Sequence, residues 1–269
     1  MNINKRLPTA IVLLGVFFLI IQYGSPTLIF AVLQVVILAA LLEFYNLARK
    51  KRLHPQRLLG AFLAVVIGLS YYFRGVFLLD LALYACLLST GIYFVVYFAR
   101  QEQLPYFSQS IALTFFGAVY LSFSLNYLYL LRVEKGAFYI YFLSAIVLLG
   151  DSGAYFLGKP FGKHKMTPLA SPNKTWEGSL GGIIFAVLGA WAARELLLKD
   201  IELWRALLTG VLVHAVAQVS DPLESLFKRA VGVKDSSNLL PGHGGVLDRI
   251  DSFILASPFF YFLIRYFWK

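Results

Sequence analysis

Long apolar runs separated by short, mostly basic stretches dominate this chain, and they predict helices that cross a membrane. A helix needs about 20 predominantly apolar residues to span the hydrocarbon core. Windows of that kind fall near Pro8–Tyr23, Thr27–Ala48, Leu58–Phe73, Val76–Ala99, Ser108–Leu131, Ala137–Leu157, Gly178–Leu198, Leu203–Val219 and Ile250–Trp268. No stretch shows the alternation of a barrel strand, and backbone polar groups must be satisfied inside lipid, so every span is expected to be helical. The fold class that follows is an all-α integral membrane protein, a polytopic bundle of about nine transmembrane helices.

Composition supports this picture and removes several alternatives. With 59% hydrophobic and 14% charged residues, the chain lies outside the range of soluble domains, which carry about 25% charged residues. The net charge of +10 has no soluble basic domain to reside on. It fits cationic loops facing anionic headgroups or anionic substrates, and nucleic acid is not an expected partner. Cys86 is the single cysteine, which excludes an internal disulfide. Lys5 and Arg6 before an apolar run resemble a signal peptide, but no small-residue cleavage pattern follows, so the segment reads as a retained first helix. With the N-terminus inside, Lys and Arg on alternate sides divide about two to one, which predicts an inner-membrane protein whose N-terminus and two charged loops are cytoplasmic.

Polar chemistry is distributed unevenly. Residues 1–136 are expected to form a scaffold of about five helices, in which Glu43 and Asp80 are nearly the only intramembrane acids. Residues 137–269 are expected to form the catalytic region, with about four helices, two charged loops and a polar cleft at the cytoplasmic side. Between Ser220 and Asp251 lie five carboxylates, four cationic side chains and a histidine. Acids alternating with Lys and Arg suit a divalent metal together with phosphates, since the ion needs oxygen ligands and phosphates need cations.

Three constellations carry this chemistry. In a helical segment Asp221, Glu224, Ser225 and Lys228 share one face, with Pro222 as the first helical residue and Ser220 or Asp221 as its cap; a solvated amphipathic helix is the plainer alternative. Asp248-Arg249-Ile250-Asp251 places two carboxylates one turn apart, suited to metal binding, where dipole stabilisation of a first turn would be the structural reading. Before it, Pro241-Gly242-His243-Gly244-Gly245 could bring backbone amides close to an anion, although a turn is the commoner use of such a run. The upstream loop holds Lys163, His164, Lys165, Ser171, Asn173, Lys174, Thr175 and Glu177. Ser171-Pro172 reads there as a cap and first-turn proline, putting Lys174 in the first turn of the next helix, a phosphate-binding position. Asp151, within the sixth span, is either a further metal ligand or a partner for a lysine.

The string Ser225 to Arg229, then Lys234-Asp235, then Leu240-Pro241-Gly242-His243-Gly244-Gly245 running on to Asp248-Arg249-Ile250-Asp251, resembles the signature of phosphatidate cytidylyltransferases, also called CDP-diacylglycerol synthases. Asp151 to Lys163 and Ser171 to Gly178 resemble the same family, so the likeness covers roughly the C-terminal half. Such enzymes usually read Gly-Asp-Leu before the Glu-Ser pair, and this chain has Ser220-Asp221-Pro222. The resemblance implies CMP transfer from CTP to phosphatidic acid in the bilayer, with pyrophosphate as second product and magnesium as cofactor. A metal set of Asp221, Asp248, Asp251 and Asp151 is expected, with Lys228, Arg229, His243 and Arg249 beside it in catalysis. Lys165, Ser171, Lys174, Thr175, Glu177, Glu224, Ser225, Lys234, Asp235, Gly244 and Gly245 are the expected substrate contacts. Pairing with a second copy of the chain as a homodimer is left open. Two rivals remain: a CTP-using lipid kinase, and an ion-coupled transporter, which the concentration of polar residues in one half disfavours.

Overall fold

Ser25-Pro26 opens the first long helix as its residue types dictate. Ser25 Oγ accepts from Leu28 N at 3.2 Å, and Pro26 occupies a first-turn position where its missing N–H has no partner to lose. The structure, a computed structural model, describes residues 15–74, 78–97, 101–237, 239 and 244–268. In chain order these form α1 (15–23), α2 (Pro26–Lys50), α3 (Arg57–Tyr72) and α4 (Leu79–Tyr97). A 3₁₀ turn (Gln101–Tyr106) leads into α5 (Phe107–Ala118), which passes through a π turn (Val119–Phe123) into α6 (Ser124–Glu134). Then come α7 (Ala137–Phe161), the short strands β1 (Lys165–Thr167) and β2 (Ser171–Thr175), α8 (Trp176–Leu197), α9 (Leu203–Ala230) and α10 (Leu247–Phe267).

The protein is an all-α polytopic membrane protein. Seven helical stretches among the described residues are long and apolar enough to cross a bilayer, and the described part of each of the nine expected spans falls largely in helix. At 16 residues α3 is shorter than the seven, and α1 is the described part of the first expected span. Pro8 to Leu14, Val76 and Ala99 lie outside the described residues. The fifth span is a composite of 31 residues, Leu104–Glu134. The π turn within it is the kind of local widening that inserts a residue into a helix without ending it.

Two expectations are corrected. Pro222 does not begin a helix, and neither Ser220 nor Asp221 is a cap: α9 runs unbroken through the proline to Ala230. Freed backbone groups beside a transmembrane proline can be offset by neighbouring helices and hydroxyls. Here Ser220, fully buried, donates its Oγ to the Asp251 carbonyl and accepts from Leu255 N at 3.2 Å, tying α9 to α10 just before the proline. Ser171-Pro172 likewise opens no helix. Ser171–Thr175 pairs antiparallel with β1, in register Lys165↔Thr175 and Thr167↔Ser171. α8 starts four residues later than the Pro172 reading requires, capped by Thr175, whose Oγ1 accepts from Gly178 N at 3.2 Å. Proline is tolerated in so short a pair because each strand has a free edge.

The chain divides into two compact units. The first comprises Met1–Tyr129 and Val231–Arg249. Its core is apolar and aromatic: Tyr45, fully buried, donates to the Thr114 carbonyl at 2.6 Å and packs against Gly60 and Gly117. Gln34, Asn126 and Ser122 add a buried polar chain, with Gln34 Nε2 on Asn126 Oδ1 at 2.7 Å, the hydrogen-bonding glue that substitutes for hydrophobic drive inside lipid. The second unit comprises Leu130–Ala230 and Ile250–Lys269. Its helices α7, α8 and α9 approach closely over small residues: a side chain at Gly178 would meet the backbone of Ala154 and Gly158, and one at Gly189 would meet the Ala145 carbonyl.

Candidate active site

In the second unit, α9 presents Asp221, Glu224, Ser225 and Lys228 at the helical spacing expected of one face. Lys174, carried by β2, places Nζ 2.7 Å from Asp221 Oδ2, with about a quarter of each side chain exposed. Ser225 Oγ faces Asp221 Oδ1 at 3.4 Å. One turn further, Lys228 Nζ lies 2.5 Å from Glu224 Oε2, and this pair is buried. On α7, half-buried Asp151 accepts from Ser252 Oγ of α10 at 3.0 Å. Asp221 acts electrostatically on both Asp151 and Asp251, and Glu224 acts on Asp251 as well. Asp221 thus links Asp151 and Asp251, Glu224 joins through Asp251, and Lys174 and Lys228 pair with two of the four acids, which leaves hard oxygens with an excess of negative charge.

The hairpin that carries Lys174 is fastened by Glu177 in the first turn of α8. Its carboxylate accepts from Lys163 N at 3.1 Å and His164 N at 3.2 Å, and it meets His164 Nδ1 at 2.6 Å. Trp176 N donates to the His164 carbonyl at 3.0 Å, closing the base of the hairpin. Arg229 Nε reaches the Ala170 carbonyl at its tip, at 3.2 Å. Ser171 is half-buried, Lys165 is exposed, and Thr175 is buried in its capping role. Glu177, Thr175 and Arg229 thus shape the loop, while Lys174 delivers its charge to the acids.

In the first unit the glycine-rich segment is gathered by two carboxylates. Asp248 Oδ2 accepts from Ser236 N at 2.9 Å, from Ser236 Oγ at 2.9 Å and from Gly245 N at 2.8 Å. Glu43, on α2 and buried, accepts from Ser237 Oγ at 2.6 Å, Val246 N at 3.0 Å and Leu247 N at 2.8 Å, and shares with Asp248 the one hydroxyl proton of Ser236, whose Oγ is 2.9 Å away. The two glycines serve different ends. Gly244 has φ +83°, a left-handed conformation that disfavours side chains, whereas a side chain at Gly245 would run into Ser236 Oγ and the Glu43 carboxylate. Lys234, Asp235 and Arg249 are exposed. His243 lies outside the described residues, with Leu240, Pro241 and Gly242.

Of the expected site residues, Asp151, Lys174, Asp221, Glu224, Ser225, Lys228 and Asp251 form the charged cluster of the second unit. Asp248, Gly244 and Gly245 belong to the loop of the first. Among the described residues no group of three or more His, Cys, Asp or Glu is placed to hold a metal ion. Glu43 is the functional candidate that sequence reasoning left in the scaffold; its one signal was being an acid inside an apolar span.

Comparison with known proteins extends the likeness beyond the C-terminal half. The chain matches the cytidylyltransferase family over residues 4–267. It is 32% identical to the phosphatidate cytidylyltransferase of Haemophilus influenzae, with 96% of this chain and 97% of that protein covered. The Bacillus subtilis phosphatidate cytidylyltransferase is 32% identical with 99% of each chain covered, and that of Staphylococcus haemolyticus is 33% identical with 94% and 95% covered. Charged cluster, glycine-rich loop and full-length similarity agree, and the chain belongs to the cytidylyltransferase family.

Proposed function

We infer that this chain is a phosphatidate cytidylyltransferase, transferring CMP from CTP to phosphatidate within the membrane. The observation that carries this reading is similarity along nearly the whole chain to proteins of that name. The charged cluster on α9 supplies chemistry that suits it. An oxygen of the lipid phosphate attacks the α-phosphorus of CTP, the bond to the β-phosphate breaks, and pyrophosphate departs with its electron pair. The lipid phosphate is itself the nucleophile, so no Ser, Cys or His side chain has to form a covalent intermediate. The protein's task is to bring two polyanions together and stabilise charge on the transferred and leaving phosphates.

Lys174 is the cation best placed to meet a phosphate, since it sits on the cluster, is partly exposed and is carried by a loop. Lys228 is held by Glu224, so its charge is fixed in position. Magnesium is the cofactor this reading implies: Asp151, Asp221 and Asp251 bring the hard oxygens it takes, although as placed no three of them converge on one ion. A divalent ion there would offset phosphate charge during transfer. The Lys and Arg bias favours a cytoplasmic site, where CTP is available. A cysteine placed at Lys165, with Cys86 replaced, should then react with an impermeant thiol reagent in inverted vesicles and resist it in intact cells; the reverse pattern overturns this orientation.

The function is tested by incubating the purified protein with CTP and phosphatidate and identifying products by mass spectrometry. CDP-diacylglycerol and pyrophosphate in equal amounts are expected. CDP together with diacylglycerol pyrophosphate would establish the rival lipid-kinase chemistry instead.

A further inference from the structure

The acid of α2 is the feature that the reaction chemistry leaves unexplained. Glu43 is 5% exposed, in the C-terminal third of α2, and its two oxygens meet four groups: the hydroxyls of Ser237 and Ser236, the latter sharing its one proton with Asp248, and the amides of Val246 and Leu247. These donors sit at the two ends of one segment. Between them lies the glycine-rich loop, whose Gly245 has room for no side chain because Ser236 Oγ and the Glu43 carboxylate fill that space. Asp248 repeats the arrangement from the downstream end, bridging Ser236 to Gly245. The carboxylate thus joins two stretches that flank the glycines, the serines at 236–237 and the amides at the N-terminal end of α10, where packing of α2 alone would need one partner.

We propose that Glu43 is a positioning residue for the reaction, tying residues 236–237 to the N-terminal end of α10 so that Gly244, Gly245 and Asp248 are held in one arrangement. This rests on the reading of the chain as a CTP-dependent transferase. The carboxylate is suited to the task because it accepts at both oxygens, whereas an amide of the same shape offers one acceptor and turns two donors against the Nε2 group. Misplacing catalytic groups by about an ångström reduces rates by roughly 100-fold, so the clamp acts on turnover without touching substrate.

The test uses the full-length protein with Cys86 replaced and a spin label at Leu239, which is exposed within the clamped segment, and a control label at Lys199. Glu43→Gln should raise label mobility at 239, leave it unchanged at 199, and lower kcat by between about 10- and 100-fold with the KM for phosphatidate unchanged. Glu43→Asp should restore part of both effects. Should Glu43→Gln fail to fold, Ser237→Ala removes one donor and leaves the carboxylate; the same shift at 239, smaller, is expected. Where both variants fold, adding Ser237→Ala to Glu43→Gln should have less than its separate effect, since both break one network. Unchanged mobility at 239 in whichever variants fold would overturn the proposal, as would equal loosening at 239 and 199. The mobility readout needs no CTP, so a failed assignment of the reaction would leave it intact and would appear as absent turnover in the parent.

Discussion

The carboxylates of the two units are satisfied in opposite ways. In the first unit Glu43 and Asp248 are met by backbone amides and serine hydroxyls. In the second unit Asp221 and Glu224 are met by lysines, and Asp221 and Asp251 act on each other. Neutral donors in fixed directions define a shape, because each hydrogen bond is lost if the backbone moves. Lysines paired to crowded acids define a charge distribution, the kind that suits a polyanion. The difference separates holding a loop from handling a polyanion.

The sharpest way to break this division is at Asp221. Asp221→Asn keeps the side-chain shape and removes a charge, and turnover should fall by about 100-fold or more with the protein still folded, as for removal of one electrostatic stabiliser. Labelled CTP incorporation into lipid measures this; near-parental rates would take Asp221 out of the chemistry. Next comes the buried pair. Lys228→Met removes the cation that offsets the buried Glu224 charge and should cost about 3–5 kcal/mol, whereas pairing it with Glu224→Leu should recover much of that stability. Thermal unfolding in detergent distinguishes the two variants, and equal stability would show that the pair is not coupled.

Smaller effects sharpen the comparison further. Lys174→Ala should raise the KM for CTP or phosphatidate by about tenfold, the scale of one charge-assisted contact. Arg249→Lys tests the loop side in the same assay: a fork that binds phosphate through two nitrogens should not be replaced by lysine. The smallest change is expected from Ser220→Gly. It deletes the hydroxyl that joins Asp251 to Leu255 and should lower stability by about 1 kcal/mol, with a fall in Tm of about 2–4 °C. A gain in activity without loss of stability would mean that glycine suits this position better than the bridge does.

Much of the fold was legible because apolar run length maps directly onto helix length in lipid, and the helical facing of Asp221, Glu224, Ser225 and Lys228 needed only the periodicity of α9. Proline misled twice for a shared reason. At Pro222 and Pro172 local preference marked a boundary, and contacts from distant chain decided otherwise: Ser220 with α10 in one case, the pairing of Thr167 with Ser171 in the other. Glu43 was visible as an unusual acid, but its donors lie 193 to 204 residues away, a separation that no local pattern encodes. The signature glycines were legible as a loop, while the reason for Gly245 appeared only once Glu43 stood beside it.

The magnesium dependence of CMP transfer compared across parent, Asp221→Asn and Glu43→Gln tests the division most directly. Asp221→Asn should shift half-saturation upward by about tenfold or more in its residual activity, the scale seen when a ligand-shell group is lost. Glu43→Gln should lower the rate at saturating magnesium and leave half-saturation where it is in the parent. An equal shift in both variants would contradict the account, because a carboxylate that only shapes the loop has no reason to set the affinity for the ion.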